Sequence, residues 1–248
     1  MTKFISRLNN NTLAYNQLIG KNIGIVFLSG FNSDMQGKKA LYIEKWAKDN
    51  NHSFLRFDYS GHGQSSGTIN TTCFSDWYQD AEYLINKLTQ GKQILVGSSM
   101  GAWIMLMLAK RIPQKISAII GLAPAPDFPK LLVWDKMTGD EKRKLIKNKM
   151  TTIRYEDGSK NDFSYKLIKD SFKNLTLLEK IYFNGPVYLY HGMADDAVPY
   201  DLSINIIKTF AGTKDVKLLL EKDAGHRLSE THQLQNITDI IQEIKTKL

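Results

Sequence analysis

The stretch Ile94-Leu95-Val96-Gly97-Ser98-Ser99-Met100-Gly101-Ala102-Trp103, continuing to Arg111, decides the fold. Three β-favouring apolar residues lead into Gly97, and an apolar, helix-forming run follows Gly101. The motif between them is G-x-S-x-G at a strand-to-helix turn. A turn that tight forces its central residue into a strained backbone, so the positions two before and two after must be small. Ser99 then projects its Oγ from the edge of a sheet, with a helix N-terminus aimed at it. The backbone N–H of Met100 faces any oxyanion that forms there.

A serine nucleophile needs a base, and the base needs an orienting acid. With an elbow of this kind, acid and histidine follow the serine in that chain order. His191, His226 and His232 lie downstream. His226 falls in a loop just after the apolar run 216–220, where an imidazole reaches over the sheet edge. His191 ends a strand and precedes Gly192, the position of a turn support, and His232 opens the last helix as a surface residue. The acid belongs after the preceding strand, 187–190, where Asp195 and Asp196 are adjacent candidates. A second oxyanion donor belongs in the loop after the first buried strand, Leu28-Ser29-Gly30-Phe31-Asn32-Ser33. The N–H of Phe31 is the expected group there, and its ring is placed to line a pocket.

Outward from the elbow, strands and helices alternate. Residues 23–28, 54–57, 94–96, 118–122, 187–190 and 216–220 are short apolar runs of the kind buried on both faces of a parallel sheet. Helical spacing appears over 40–50 and 102–111, and at Trp77, Ala81, Leu84 and Leu88. It returns at Leu234, Ile237, Ile241, Ile244 and Leu248. Ser75 is a candidate cap for the second of these helices, with Asp76 in its first turn. The alternation predicts an α/β fold with a mostly parallel central sheet and helices on both faces. Residues 123–185 break the rhythm, starting with three prolines and continuing with charged, helix-capable sequence. They read as a helical cap inserted into a single domain spanning 1–248, with Trp134 and Met137 as cap residues that either touch a ligand or pack the cap.

Composition narrows the class. Of the 248 residues, 42% are hydrophobic and 23% charged, too apolar for a disordered chain. The lone cysteine, Cys73, excludes an intrachain disulfide framework and a cysteine-rich zinc site, and suits a reducing compartment. It reads as a small buried apolar side chain. No apolar run approaches the ~18–20 residues of a membrane span. The first twenty residues hold no continuous apolar stretch and are not a secretory signal. The net charge of +8 is spread along the chain, with one cluster at Lys142-Arg143-Lys144, Lys147 and Lys149. No nucleic-acid motif accompanies it, and it reads as a solvated helix face. Asp58 and Ser60-Gly61-His62-Gly63 read as a loop-shaping turn.

Together these residues resemble the α/β-hydrolase superfamily. The block His191-Gly-Met-Ala-Asp195-Asp-Ala-Val-Pro199 is similar to the family's acid loop, in which the carboxylate sits four residues after the His-Gly start; the resemblance favours Asp195 over Asp196. Gly225-His226-Arg227 is similar to its histidine loop. Phe57-Asp58-Tyr59-Ser60-Gly61, Gln93 to Ser99 and His191-Gly-Met193 resemble more closely the tenth α/β-hydrolase-domain group of animal mitochondria and its bacterial relatives. Members are described as palmitoyl-protein thioesterases and acyl-glucuronide esterases. The resemblance implies hydrolysis of an acyl ester or thioester, an S-acylated protein among the substrates. Ser99, Asp195 and His226 would carry it, with Phe31 and Met100 as oxyanion donors and no metal or organic cofactor. No mitochondrial extension is evident, and a bacterial cytosol is the expected location. Two alternatives stay open: hydrolysis of another bond, peptide or carbon–carbon, and a non-catalytic ligand-binding relative. A haloalkane dehalogenase is excluded, because it needs an aspartate where Ser99 stands.

Overall fold

The computed structural model describes residues 1–7, 11–154, 158 and 160–248. Residues 155–157 and 159, inside the expected cap, lie outside that set. The first half contains β1 (Lys3–Ser6), β2 (Thr12–Leu18), β3 (Asn22–Leu28), α1 (Lys38–Asp49), β4 (His52–Phe57), α2 (Phe74–Leu88), β5 (Gln93–Ser98), α3 (Met100–Arg111) and β6 (Ile116–Leu122). Then come α4 (Gly139–Asn148), β7 (Met150–Arg154), β8 (Lys160–Ser164), α5 (Tyr165–Ser171), β9 (Ile181–Phe183) and β10 (Val187–Gly192). The chain ends through α6 (Asp201–Thr209), β11 (Phe210–Gly212), β12 (Val216–Glu221) and α7 (Thr231–Lys245).

Eight strands form the central sheet in the order β1-β2-β4-β3-β5-β6-β10-β12. The six strands from β4 to β12 in that order run parallel, and β1 and β2 extend the edge antiparallel. Alternation along β3 explains the two layers. Ile25 and Phe27 face α1 and α7 in one apolar cluster, while Val26 and Leu28 face α2 and α3 in the other. Trp77 and Trp103 are fully buried in the second cluster, and Phe74 stacks on Trp103 with ring centroids 3.4 Å apart. Every strand expected from the apolar runs is present, lengthened by one to three residues.

The N-terminal residues, which read as strand-like, form the edge strands β1 and β2, and the buried Asp80 of α2 pairs with Arg7 just after β1. Two features differ from expectation. Ser75 does not cap α2. Cys73 occupies the cap, with its N–H donated to Asp76 Oδ2 at 2.9 Å, and Ser75 instead donates N–H and Oγ–H to Asp170 at 2.8 Å each. The segment between β6 and β10 adds a hairpin, β7–β8, to the expected helices, and β9 pairs with β11. Asp127 gathers the two ends of this segment, accepting from Thr176 N at 2.9 Å, Thr176 Oγ1 at 3.0 Å and Leu177 N at 3.1 Å. The basic cluster lies on α4, exposed apart from contacts such as Lys142 over the Trp134 ring. No helix among the described residues is long and apolar enough to cross a membrane.

The turn between β5 and α3 is built by contact. A Cβ on Gly101 would stand 2.0 Å from the Leu28 carbonyl oxygen, and one on Gly97 would stand 2.6 Å from Ala102 Cα. Those contacts let α3 begin directly against the ends of β3 and β5. A Gly101→Ala variant is therefore expected to lose about 3 kcal/mol of stability, because backbone atoms and not a flexible side chain must move. Urea denaturation at neutral pH measures this; a midpoint equal to that of the parent chain would contradict the packing.

Candidate active site

Ser99 sits at φ 54°, ψ −118°, between β5 and α3. The left-handed φ is costly for a serine and is held by its surroundings. Ser99 N donates to Leu122 O at 2.9 Å, while Ser99 O accepts from Ala102 N at 3.0 Å and Ala125 N at 3.2 Å. Met100 is the first residue of α3, so its N–H has no acceptor within the helix. The loop after β3 lies against the turn: a Cβ on Gly30 would be 3.3 Å from Ser99 Cβ. Phe31 follows, its ring stacked on Phe163 of β8 at 5.3 Å and close to Phe128 and Trp77.

The other two residues follow β10 and β12, which pair with each other on the far side of β6 from β5. Asp195 follows β10, and His226 follows β12. Gly192 lets the two loops touch, since a Cβ there would be 2.0 Å from Ala224 O. Met193 N to Glu221 O at 2.8 Å and Ala194 N to Ala224 O at 3.0 Å complete that contact. His226 Nδ1 lies 2.7 Å from Asp195 Oδ2, and His226 Nε2 lies 3.0 Å from Ser99 Oγ. A carboxylate only accepts, so the imidazole proton sits on Nδ1 and the Nε2 lone pair faces the serine hydroxyl. Three residues separated by as many as 127 positions thus meet in one hydrogen-bonded line.

The side chain of Asp195 is 0% exposed, whereas Asp196 is exposed. Oδ1 of Asp195 accepts from Ala197 N at 3.0 Å and Val198 N at 2.8 Å. Oδ2 accepts from His226 and also from His191 Nε2 at 3.1 Å. Burial opposes the charge, but hydrogen bonds from His191 and His226 and the backbone outweigh it and hold the carboxyl down at about 2. His191 is fully buried in β10 and supports the turn as expected. Its contact with Asp195 is one that the sequence reading misses, although its spacing four residues before the acid is the signal that points to it. His232 is exposed on α7 and bonds Glu221 at 2.8 Å.

The remaining candidates are structural. Asp58 accepts from Met35 N at 2.7 Å and Gln64 N at 2.9 Å, shaping its loop. Burial holds His62 down at about 4, against the rings of Tyr59 and Trp77. Burial pushes the Cys73 thiol up to about 12, with Asp170 and Asp76 nearby, so no thiolate nucleophile is available.

Ser99 and His226 open onto a cavity of about 1060 Å³. Its lining mixes apolar side chains, among them Phe31, Phe128, Leu132, Val133 and Phe163, with charged ones, among them Lys38, Lys136, Asp196, Asp223, Arg227 and Glu230. Trp134 and Met137 do not reach the cavity. Trp134 packs against Tyr165 and Phe172, and Met137 is buried. The cap segment reaches the cavity through Ala125, Phe128, Leu132, Val133 and Lys136, together with Ile153, Asn161 and Phe163 of the hairpin.

Comparison with known proteins decides the family. A family model described as the alpha/beta hydrolase fold matches residues 25–148. The chain belongs to the α/β-hydrolase family. It is 36% identical over 248 residues to the palmitoyl-protein thioesterase ABHD10, mitochondrial, of Bos taurus, covering 99% of this chain and 80% of the relative. The structure of alpha/beta hydrolase domain-containing protein 10 from mouse superposes with a TM-score of 0.93 at 31% identity, covering 100% of this chain and 99% of that one. A crystal structure from Agrobacterium vitis S4 superposes equally well, with a TM-score of 0.93 at 30% identity and 98% of both chains covered. These likenesses span the segment between β6 and β10 as well as the sheet.

The low pKa of Asp195 has a stability consequence. A carboxyl depressed from 3.8 to about 2 stabilises the fold above its unfolded pKa and loses that contribution as pH falls toward 2. Asp195→Asn is expected to show a shallower loss of stability between pH 4 and pH 2 than the parent chain. Denaturant midpoints across that window measure it; parallel curves would contradict the assigned ionisation.

Proposed function

We propose that this α/β hydrolase cleaves acyl thioesters and esters through a Ser99 acyl-enzyme. The observation that supports this most is the line Ser99 Oγ–His226–Asp195, at 3.0 and 2.7 Å, opening onto a cavity lined in part by aromatic and aliphatic side chains. In the first step, His226 Nε2 takes the hydroxyl proton as Oγ attacks the acyl carbonyl carbon. Asp195 keeps the imidazole in the Nδ1–H tautomer and stabilises the imidazolium. The oxyanion is received by Met100 N–H, at the start of α3, and Phe31 N–H. His226 then protonates the leaving thiolate or alkoxide. Water enters, His226 acts again as base, and the acid product leaves with Ser99 restored.

The substrate reading follows from the lining. The cavity volume of about 1060 Å³ is at the upper end of the ~300–1,000 Å³ typical of ligand pockets, and its lining includes Phe128, Leu132, Val133 and Phe163 of the cap segment. Those apolar residues suit a long acyl chain, and the charged residues of the same lining suit a hydrophilic leaving group. The curated relatives are named as palmitoyl-protein thioesterases, which accords with an S-acylated protein as substrate. A cytosolic location in a bacterium belongs to the same proposal. Its support is the single buried cysteine and the Agrobacterium likeness, while the animal relatives are named as mitochondrial.

Turnover is measured on an acyl series from acetyl to palmitoyl, as oxygen esters and as thioesters. The proposal expects activity to peak at long-chain thioesters. Ser99→Ala should lower kcat by about 10⁴-fold or more. Asp195→Asn should lower it ~10²–10⁴-fold, while the exposed Asp196→Asn stays within about threefold. Activity confined to short oxygen esters would remove the depalmitoylating reading, and Ser99-independent turnover would remove the mechanism. A folded chain inactive on every member would favour another bond or a binding role.

A further inference from the structure

We infer that His191 is a positioning residue for Asp195, with Ser203 selecting the tautomer in which it works. This rests on the reading of Asp195 as the acid of a Ser99 hydrolase.

His191 and Ser203 are both 0% exposed, on β10 and α6. Two acceptors face one nitrogen of the imidazole: Asp195 Oδ2 at 3.1 Å and Val198 O at 3.0 Å, both from Nε2. Neither oxygen carries a proton to give, so the ring proton belongs on Nε2 and is shared between them. The other nitrogen, Nδ1, is 2.7 Å from Ser203 Oγ, and that hydroxyl donates to it. With the proton on Nδ1 instead, a lone pair would point at the carboxylate, a buried repulsion with no solvent to relieve it. Ser203 therefore does for His191 what Asp195 does for His226: it fixes which nitrogen donates.

Asp195 Oδ2 is consequently gripped by two imidazoles, His226 on the cavity side and His191 on the buried side. His226 must rotate and change charge during turnover, so its own hydrogen bond cannot define where the carboxylate sits. His191 is fully buried and does not line the cavity. Together with the Ala197 and Val198 N–H groups on Oδ1, it leaves the carboxylate plane no freedom, and an aligned carboxylate is what keeps the imidazole in line with Ser99. The spacing that achieves this is short: a strand-end histidine, four residues to the acid, seven to the carbonyl of Val198 and twelve to the serine of α6.

A packing role and a positioning role separate by substitution. Glutamine places an N–H near the imidazole Nε2 and an oxygen that accepts from Ser203; leucine fills the volume and offers neither. His191→Leu is expected to lower kcat on a long-chain acyl thioester by about 10–100-fold with KM within about threefold. It should slow phosphonylation of Ser99 by a fluorophosphonate to the same degree. His191→Gln should recover most of both rates. Ser203→Ala, which leaves the ring in place, should cost about three- to tenfold in kcat. A folded His191→Leu enzyme within twofold of the parent overturns the inference. So does a His191→Gln enzyme as slow as His191→Leu, because the donor would then be irrelevant. Where His191→Leu fails to fold, the Gln and Ser203→Ala rates decide on the same terms. Failure of the underlying hydrolase reading looks different: the parent chain would show no phosphonylation lost on Ser99→Ala.

Discussion

The Leu28 carbonyl, at the end of the first parallel strand, presses against Gly101 at the start of α3 with no room for a side chain. Everything at the site depends on that approach. It lets the helix start immediately after β5 and forces Ser99 to φ 54°. It also brings the loop carrying Gly30 and Phe31 against the serine. The sheet then supplies the other partners at fixed distances. β10 and β12 are neighbours in parallel register, so the loops after them emerge side by side, and Gly192 lets them touch. Asp195 and His226 reach Ser99 because three strand ends converge on one edge of the sheet, in the manner of ligand sites in open α/β sheets.

The chemistry of the site follows from how differently its two ends are solvated. Asp195 is sealed from solvent yet surrounded by donors, so it stays ionised. The side chain of His226 is 27% exposed and faces the cavity, where substrate displaces water. A buried, hydrogen-bonded anion next to a partly exposed imidazole is the arrangement that the proposed acyl transfer uses: the anion stabilises an imidazolium that exists only transiently. The cavity that Ser99 and His226 open onto has a mixed lining, with Phe31, Phe128 and Phe163 beside charged residues such as Asp223 and Arg227 of the histidine loop. Because Phe163 of the hairpin stacks on Phe31, a segment that lines the cavity also buttresses the loop after β3 that lies against Ser99.

Much of this is legible in the amino-acid sequence. The buried parallel strands are uniform apolar runs, and a G-x-S-x-G turn between such a run and a helix has few other uses. Asp195 and His226 are legible by position, each just past a strand. The choice between Asp195 and Asp196 comes from family resemblance, and the buried side chain of Asp195 agrees with it. What escapes is whatever depends on contacts between distant segments. α6 is nine residues long and offers its apolar face through Ile206 to a core assembled elsewhere. Hairpin β7–β8 has Met150, Ile153 and Phe163 as its apolar residues among Thr, Asn, Asp, Lys and Arg, a composition common to exposed loops. Cys73 takes the helix cap while Ser75 bonds Asp170 of a distant helix. Trp134, the most conspicuous residue of the cap, packs within it, while Leu132 and Val133 line the cavity.

The central claim is that Ser99 becomes covalently acylated. A long-chain β-lactone tests it directly, since ring opening leaves the acyl group on the attacking oxygen and the slow ester accumulates. After incubation, proteolysis and mass spectrometry, the account predicts the full mass of the lactone on the peptide bearing Ser99 in the parent chain and no adduct in Ser99→Ala. An adduct on any other residue of a chain that hydrolyses acyl substrates would contradict it. So would continued hydrolysis with no covalent adduct at all.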